Sequence, residues 1–213
     1  MEWMPNLPQA NPRPSGADKY HGEIATGYDA KRESDSKWTV EQAVIEGMMD
    51  DLPDGVETHV IDVPCGTGRF FAYYARRYFA ARGIDRSLDM LREAEKEIAV
   101  CEARYESRAI TAREGDVRRL AYPDAAFTVA VMCRLTRWLS PEDCVTAYCE
   151  LMRVTTKRVI FTARVRNHPH ARGYDLIVTA LKRMADQGQH WKIAKDVAGY
   201  QEDYRIIALE PLA

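Results

Sequence analysis

Apolar residues along this chain follow two alternating rhythms. Across residues 35–51 they recur at helical spacing through Trp38, Val40, Val44, Ile45 and Met48, with Ser36 placed as a cap. The amphipathic helix predicted there ends before Leu52-Pro53. Beyond it, short runs rich in Val and Ile alternate with longer helical stretches. The pattern predicts a strand over 58–63, a helix over 70–82, the edge of a second strand at Gly83-Ile84, a helix over 87–103 and a strand over 108–114. It continues with a strand buried on both faces over 126–133, a helix over 141–152 and a strand over 158–163. Strands alternating with helices in this way imply βαβ units and a parallel sheet.

The rhythm changes at both ends. Residues 174–187 read as helix, while 190–197 and 203–210 read as extended, joined through Gly199-Tyr200-Gln201. Two extended segments linked by a short turn predict an antiparallel hairpin at the end of the sheet. At the other end Pro5, Pro8, Pro12 and Pro14 remove backbone donors, so residues 1–17 are expected to form a flexible leader before one domain over 18–213. The fold class expected is α/β: a Rossmann-like doubly wound sheet, mostly parallel, with an antiparallel C-terminal hairpin strand.

Composition narrows the function classes. With 213 residues, 46% of them hydrophobic and 29% charged, the chain can bury one substantial core. A formal net charge of −2 leaves no global positive field to gather DNA or RNA, so no nucleic-acid partner is expected. The basic pairs Arg76-Arg77, Arg118-Arg119 and Lys157-Arg158 read as solvated helix ends and loops. Cys65, Cys101, Cys133, Cys144 and Cys149 have neither metal-ligand nor disulfide-framework spacing, which implies reduced thiols and a cytoplasmic protein. No apolar run approaches the ~20 residues that span a bilayer, and the first residues lack the features of a signal peptide. No membrane partner is therefore expected.

The most informative stretch runs from His59 to Phe70, an apolar strand that enters the turn Cys65-Gly66-Thr67-Gly68 and then a helix. Glycine there lets backbone approach a ligand without Cβ interference, and a helix N-terminus behind the turn offers free N–H groups. A dinucleotide fingerprint would place a third glycine three residues after Gly68, where this chain has Phe71, so NAD and FAD are disfavoured. About 20 residues past the turn, Gly83-Ile84-Asp85 puts a carboxylate at a strand's end, positioned for a ribose diol. Glu114-Gly115-Asp116-Val117 puts another where it could accept from an adenine amino group. Together with Asp62 these acids lie on the carboxyl edge of the sheet, where open α/β folds bind ligands.

On these residues the chain resembles the class I S-adenosylmethionine-dependent methyltransferases, particularly the small, single-domain, ubiquinone-biosynthesis-like group. The resemblance runs from about Tyr28 to the C-terminus and rests on residues 60–69, 83–91, 115–117 and 126–139. The segment Gly27-Tyr28-Asp29-Ala30-Lys31-Arg32 is similar to the family's cofactor-covering segment, which makes 18–52 that segment here. The resemblance implies that S-adenosylmethionine is the cofactor. Gly66 and Gly68, with Cys65 and Thr67, would lie at its methionine moiety, and Asp62 would order the loop. Asp85, beside Arg86, would bind the ribose, Asp116 and Val117 would frame the adenine, and Tyr28 and Cys133 would complete the site.

Methyl transfer from a sulfonium needs in-line placement of the acceptor and exclusion of water, and placement alone accounts for ~7–11 kcal/mol of barrier in such reactions. No triad is required. The expected activity is methyl transfer to a small-molecule acceptor by in-line displacement. The alternative is a non-catalytic module of the same fold that binds the cofactor or a protein. Arg134 is a candidate for holding an anionic acceptor, and His168, with His170, is a candidate base following the strand over 158–163. Cys133 reads as a small buried residue rather than a nucleophile, Tyr20 and Tyr28 as aromatic faces that shield the sulfonium, and Trp38 either as a third such face or as packing of its helix on the sheet. No Cys, Asp or Glu cluster joins the two histidines, so no metal is expected.

Overall fold

The apolar runs of the sequence become seven strands of one sheet. The computed structural model describes residues 19–20, 22–28, 36–106, 108–165 and 173–212, and the leader expected over 1–17 lies outside these. Strands β1 (His59–Asp62), β2 (Ala80–Asp85), β3 (Ile110–Glu114), β4 (Phe127–Met132) and β5 (Thr155–Arg164) are parallel. Strands β6 (Trp191–Ala198) and β7 (Tyr204–Pro211) form the antiparallel hairpin, and β7 also pairs antiparallel with β5. The spatial order is β3-β2-β1-β4-β5-β7-β6, so the chain has the Rossmann-like, mostly parallel doubly wound fold that the pattern predicts.

Helices α1 (Glu23–Thr26), α2 (Ser36–Gly47), α3 (Phe71–Arg76), α4 (Leu88–Tyr105), α5 (Pro141–Val154) and α6 (Tyr174–Asp186), with a short 3₁₀ turn Thr136–Trp138, complete the described elements. They cover both faces because strand side chains alternate. Val129 and Val131 of β4 join Ile45 of α2, Tyr74 of α3 and Ala94 of α4 in one core. Ala130 and Met132 join Tyr148 and Leu151 of α5 and Ile177 of α6 in the other. Ser87 caps α4 by accepting from the Met90 N–H, and Ser140 caps α5 by accepting from the Asp143 N–H ahead of Pro141.

Several boundaries differ from expectation, three of them instructively. The helix predicted over 70–82 stops at Arg76, since Tyr78 takes a left-handed φ of 56° and residues from Ala80 onward belong to β2. Ala81 there pairs with Val60 on one side and Ile110 on the other, so burial between two strands overrides helical spacing. Strand β5 begins at Thr155 rather than 158, where Thr155 pairs with Phe127 directly after α5. The helix expected over 35–51 ends at Gly47 before a short turn, and Ser36 is its first described residue. The strand order reverses between β1 and β4, and the crevice at their carboxyl ends is where such sheets place ligands.

Candidate functional site

β1 delivers the chain to this crevice and the glycine turn follows. Gly66 and Gly68 have φ of 56° and 90°, a region that glycine alone enters freely. A Cβ on Gly68 would stand 2.6 Å from the Phe71 ring, and one on Gly83 of β2 would stand 2.7 Å from the same ring. Phe71, where a dinucleotide site would have glycine, therefore fills the space beneath the turn, and the close helix-to-strand approach occurs at Gly83 instead.

Asp85, at the end of β2, ties the turn down. Its Oδ2 accepts from the Gly66 N–H and its Oδ1 from the Ser87 N–H, both at 2.9 Å. Burial pushes its carboxyl above the ordinary range, against the pull of those backbone donors. Asp62 is 1% exposed, and burial pushes it up to about 8. Its Oδ2 accepts from the Tyr74 hydroxyl at 3.3 Å, so the hydrogen bond to the Gly66 backbone belongs to Asp85. Asp116, beyond β3, is gripped by Arg118, with Nε 3.0 Å from Oδ1, and the Arg86 Nε lies 3.9 Å from Oδ2. The Arg118 hydrogen bond holds its carboxyl below the usual range. Val117 next to it is buried.

Gly66, Asp85, Arg86, Asp116, Val117 and Arg118 line a cavity of about 250 Å³ together with Cys65, Thr67, Met90 and Leu139, while Asp62 lies buried outside its lining. Tyr20, Tyr28 and Trp38 contribute aromatic wall, with ring centroids 5.5 Å apart for Tyr20–Tyr28 and 5.9 Å for Tyr28–Trp38. Their segment is fastened to the start of α4, where the Ser87 hydroxyl donates to the Tyr20 carbonyl at 2.6 Å and the Gly22 N–H donates to Asp89 at 2.9 Å.

The site also contains a residue that sequence reading passed over. Glu41 of α2 is 0% exposed, yet it remains ionised: burial raises its carboxyl, and Arg134 and Arg69 together bring it below the usual value. Arg69 Nη1 lies 2.5 Å from it and Arg134 Nε 2.8 Å, and the Tyr204 hydroxyl of β7 donates to it as well. Arg69 also donates to the Trp38 carbonyl at 2.6 Å and stacks 3.7 Å from the Trp38 ring centroid. The residue after Gly68 thus clamps α2 against the turn. One signal was available, since Glu41 falls three residues after Trp38 and four before Ile45, on the apolar face of α2.

Cys133 is buried against Glu41, with its thiol 3.3 Å from the carboxylate, and burial pushes that thiol well up. It is protonated and packed, which suits the small-residue reading. Arg134 follows in a left-handed conformation (φ 60°), its N–H donating to the Thr162 hydroxyl at 2.7 Å. Its side chain lines the cavity beside Trp138. His168, His170 and residues 29–32 lie outside the described residues. Among the described residues no cluster of three His, Cys, Asp or Glu side chains could hold a metal ion, and no helix is long and apolar enough to cross a membrane.

Residues 60–158 match a family model described as a methyltransferase domain. No curated protein matches the chain in sequence. Among solved structures, magnesium protoporphyrin IX methyltransferase from Synechocystis PCC 6803 with bound S-adenosylmethionine is similar at a TM-score of 0.68 and 17% identity, over 92% of this chain and 93% of that one. A S-adenosylmethionine-dependent methyltransferase from Leishmania major gives 0.66 and 15%, over 87% and 78%. The [4+2]-cyclase SpnF gives 0.64 and 18%, over 84% of each chain, so the fold also serves other chemistry. At these identities the likeness is one of fold. The cradle itself fits the cofactor: a turn that admits backbone contact, carboxylates at strand ends for a ribose diol and an aminopurine, and aromatic faces for a sulfonium. Residues 60–158 thus resemble a methyltransferase domain, and S-adenosylmethionine is the cofactor.

Proposed function

We propose that this protein transfers a methyl group to a small-molecule acceptor by in-line displacement. The bound cofactor supplies an already activated sulfonium methyl, which leaves placement and exclusion of water to the protein. Asp85 uses the lone pairs not engaged by Gly66 and Ser87 to accept from the ribose hydroxyls, with Arg86 at the rim. Gly66 and Gly68, with Cys65 and Thr67, lie along the methionine moiety, and Asp62 supports that end from beneath. Asp116 and Val117 frame the adenine. Tyr28, with Tyr20 and Trp38, covers the sulfonium and keeps water from it, and Arg134 faces the acceptor.

The observation that carries this reading is the Asp85–Gly66 hydrogen bond, which joins the acidic strand end to the glycine turn inside the aromatic-walled cavity. A chain of net charge −2 favours a small acceptor over a nucleic acid. Five free thiols suit the reducing cytoplasm.

Calorimetric titration with S-adenosylmethionine and S-adenosylhomocysteine, with NADH as control, tests the cofactor half. Micromolar binding of the first two and none of NADH is expected. Incubation with S-adenosylmethionine and a metabolite extract, followed by mass spectrometry, tests the transfer. A new methylated product appearing with S-adenosylhomocysteine supports it. Cofactor binding with no methylated small molecule would sink it in favour of a binding module.

A further inference from the structure

We infer that the methyl acceptor is an anionic, single-ring aromatic molecule, such as an aromatic carboxylate, seated in a side chamber next to the cofactor cavity. This inference rests on the methyl-transfer reading above and gives its acceptor a chemical class.

The chamber is a second cavity of about 100 Å³ that shares Tyr20, Tyr28, Arg134 and Trp138 with the first. For scale, an enclosed apolar cavity of about 150 Å³ takes up benzene, so this smaller chamber, open and continuous with the first, suits a single ring rather than a fused system. Among the described residues, Arg137, from the short 3₁₀ turn Thr136–Trp138, and Arg164, from the end of β5, bring its arginines to three, and no carboxylate lines it.

The three arginines differ in how far they are compensated. Arg134 is paired with buried Glu41, and Arg164 with Asp203 at 2.9 Å. Arg137 lies 5.0 Å from the Trp138 ring and has no carboxylate within ion-pair distance among the described residues. Lys19, 5.2 Å from the Trp138 ring centroid, adds positive charge at the margin. The chain as a whole carries −2, so this corner runs against the sign of the molecule. An uncompensated guanidinium at the solvent-facing rim of the chamber favours an anion, through charge-assisted hydrogen bonds that a neutral analogue cannot make.

The walls favour a flat ring. Tyr200 and Tyr204 stack with centroids 4.5 Å apart and planes 28° from parallel, and Tyr20 meets Trp138 edge-on at 6.1 Å. Such faces accept a further aromatic ring by offset stacking or edge contact. Arg134, held at the junction by Thr162 and Glu41, lies between this chamber and the cofactor cavity. It is the group that orients the acceptor toward the methyl.

Salicylate and salicylamide, which differ by the charge on one substituent, test the inference by calorimetric titration into protein saturated with S-adenosylhomocysteine. Salicylate is expected to bind at least about tenfold more tightly than the amide. Arg137→Gln, at an exposed position outside the cofactor cavity, is expected to lower salicylate affinity about tenfold and leave salicylamide unaltered. Equal affinities for the two probes, no salicylate binding by protein that takes up S-adenosylhomocysteine, or an Arg137→Gln variant with full salicylate affinity would each overturn the acceptor class and leave methyl transfer standing. Failure to take up S-adenosylhomocysteine would instead remove the methyl-transfer reading, and this inference with it.

Discussion

The two sides of the crevice between β1 and β4 are built from opposite kinds of residue. On the cofactor side, Asp62, Asp85 and Asp116 stand at or just beyond the ends of β1, β2 and β3. On the other side, Arg134, Arg137 and Arg164 stand around the ends of β4 and β5, with Tyr200 and Tyr204 from the hairpin. The acidic side is built from successive βα units, and its key carboxylate is held by backbone N–H groups two and nineteen residues away. The basic side is assembled from α2, β4, β5 and β7, and its buried acid meets a tyrosine 163 residues distant. A nearly constant ligand can be held by a local motif. A variable one is met by side chains that several elements bring together.

The largest expected effect comes from breaking the joint between the two sides. Glu41→Gln leaves Arg69 and Arg134 without their buried counter-ion, a loss of about 3–5 kcal/mol. For a domain of this size that lowers Tm by roughly 6–20 °C, measurable by scanning calorimetry. An unaltered Tm would show that the two arginines do not need this acid. Next, Asp85→Ala removes hydrogen bonds to a charged acceptor on the cofactor side alone. S-adenosylhomocysteine affinity should fall about ten- to a hundredfold by titration calorimetry, with the circular dichroism spectrum preserved. Full affinity in a folded variant would refute the ribose assignment. The smallest effect is expected from Gly68→Ala, where a side chain is forced into a left-handed backbone against Phe71. A stability loss of about 1–2 kcal/mol in urea denaturation checks it, and no loss would mean that the turn relaxes freely.

Much of the cofactor side is legible in the sequence. The turn Gly66-Thr67-Gly68, the acid at Asp85 and the second acid at Asp116 sit at spacings that a single βαβ succession imposes. The hairpin that closes the sheet is readable from two extended runs and a short turn. Other features are not. Glu41 reads as one more charge on a helix, and only its burial beside two arginines makes it a structural centre. Residues 80–82 continue a helical spacing and are strand, because Ala81 is wanted between β1 and β3. Arg118 reads as half of a solvated basic pair, whereas its guanidinium grips Asp116.

The sequence alone determined the succession of strands and helices and the glycine turn, since each depends on contacts within a unit of some thirty residues, and its family resemblance pointed to the cofactor. Tertiary structure decided that Asp85 holds the turn, how the charge on Arg134 is balanced, and which rings and guanidinium groups face the side chamber. Those outcomes depend on distances between segments far apart in the chain, which periodicity and spacing do not encode.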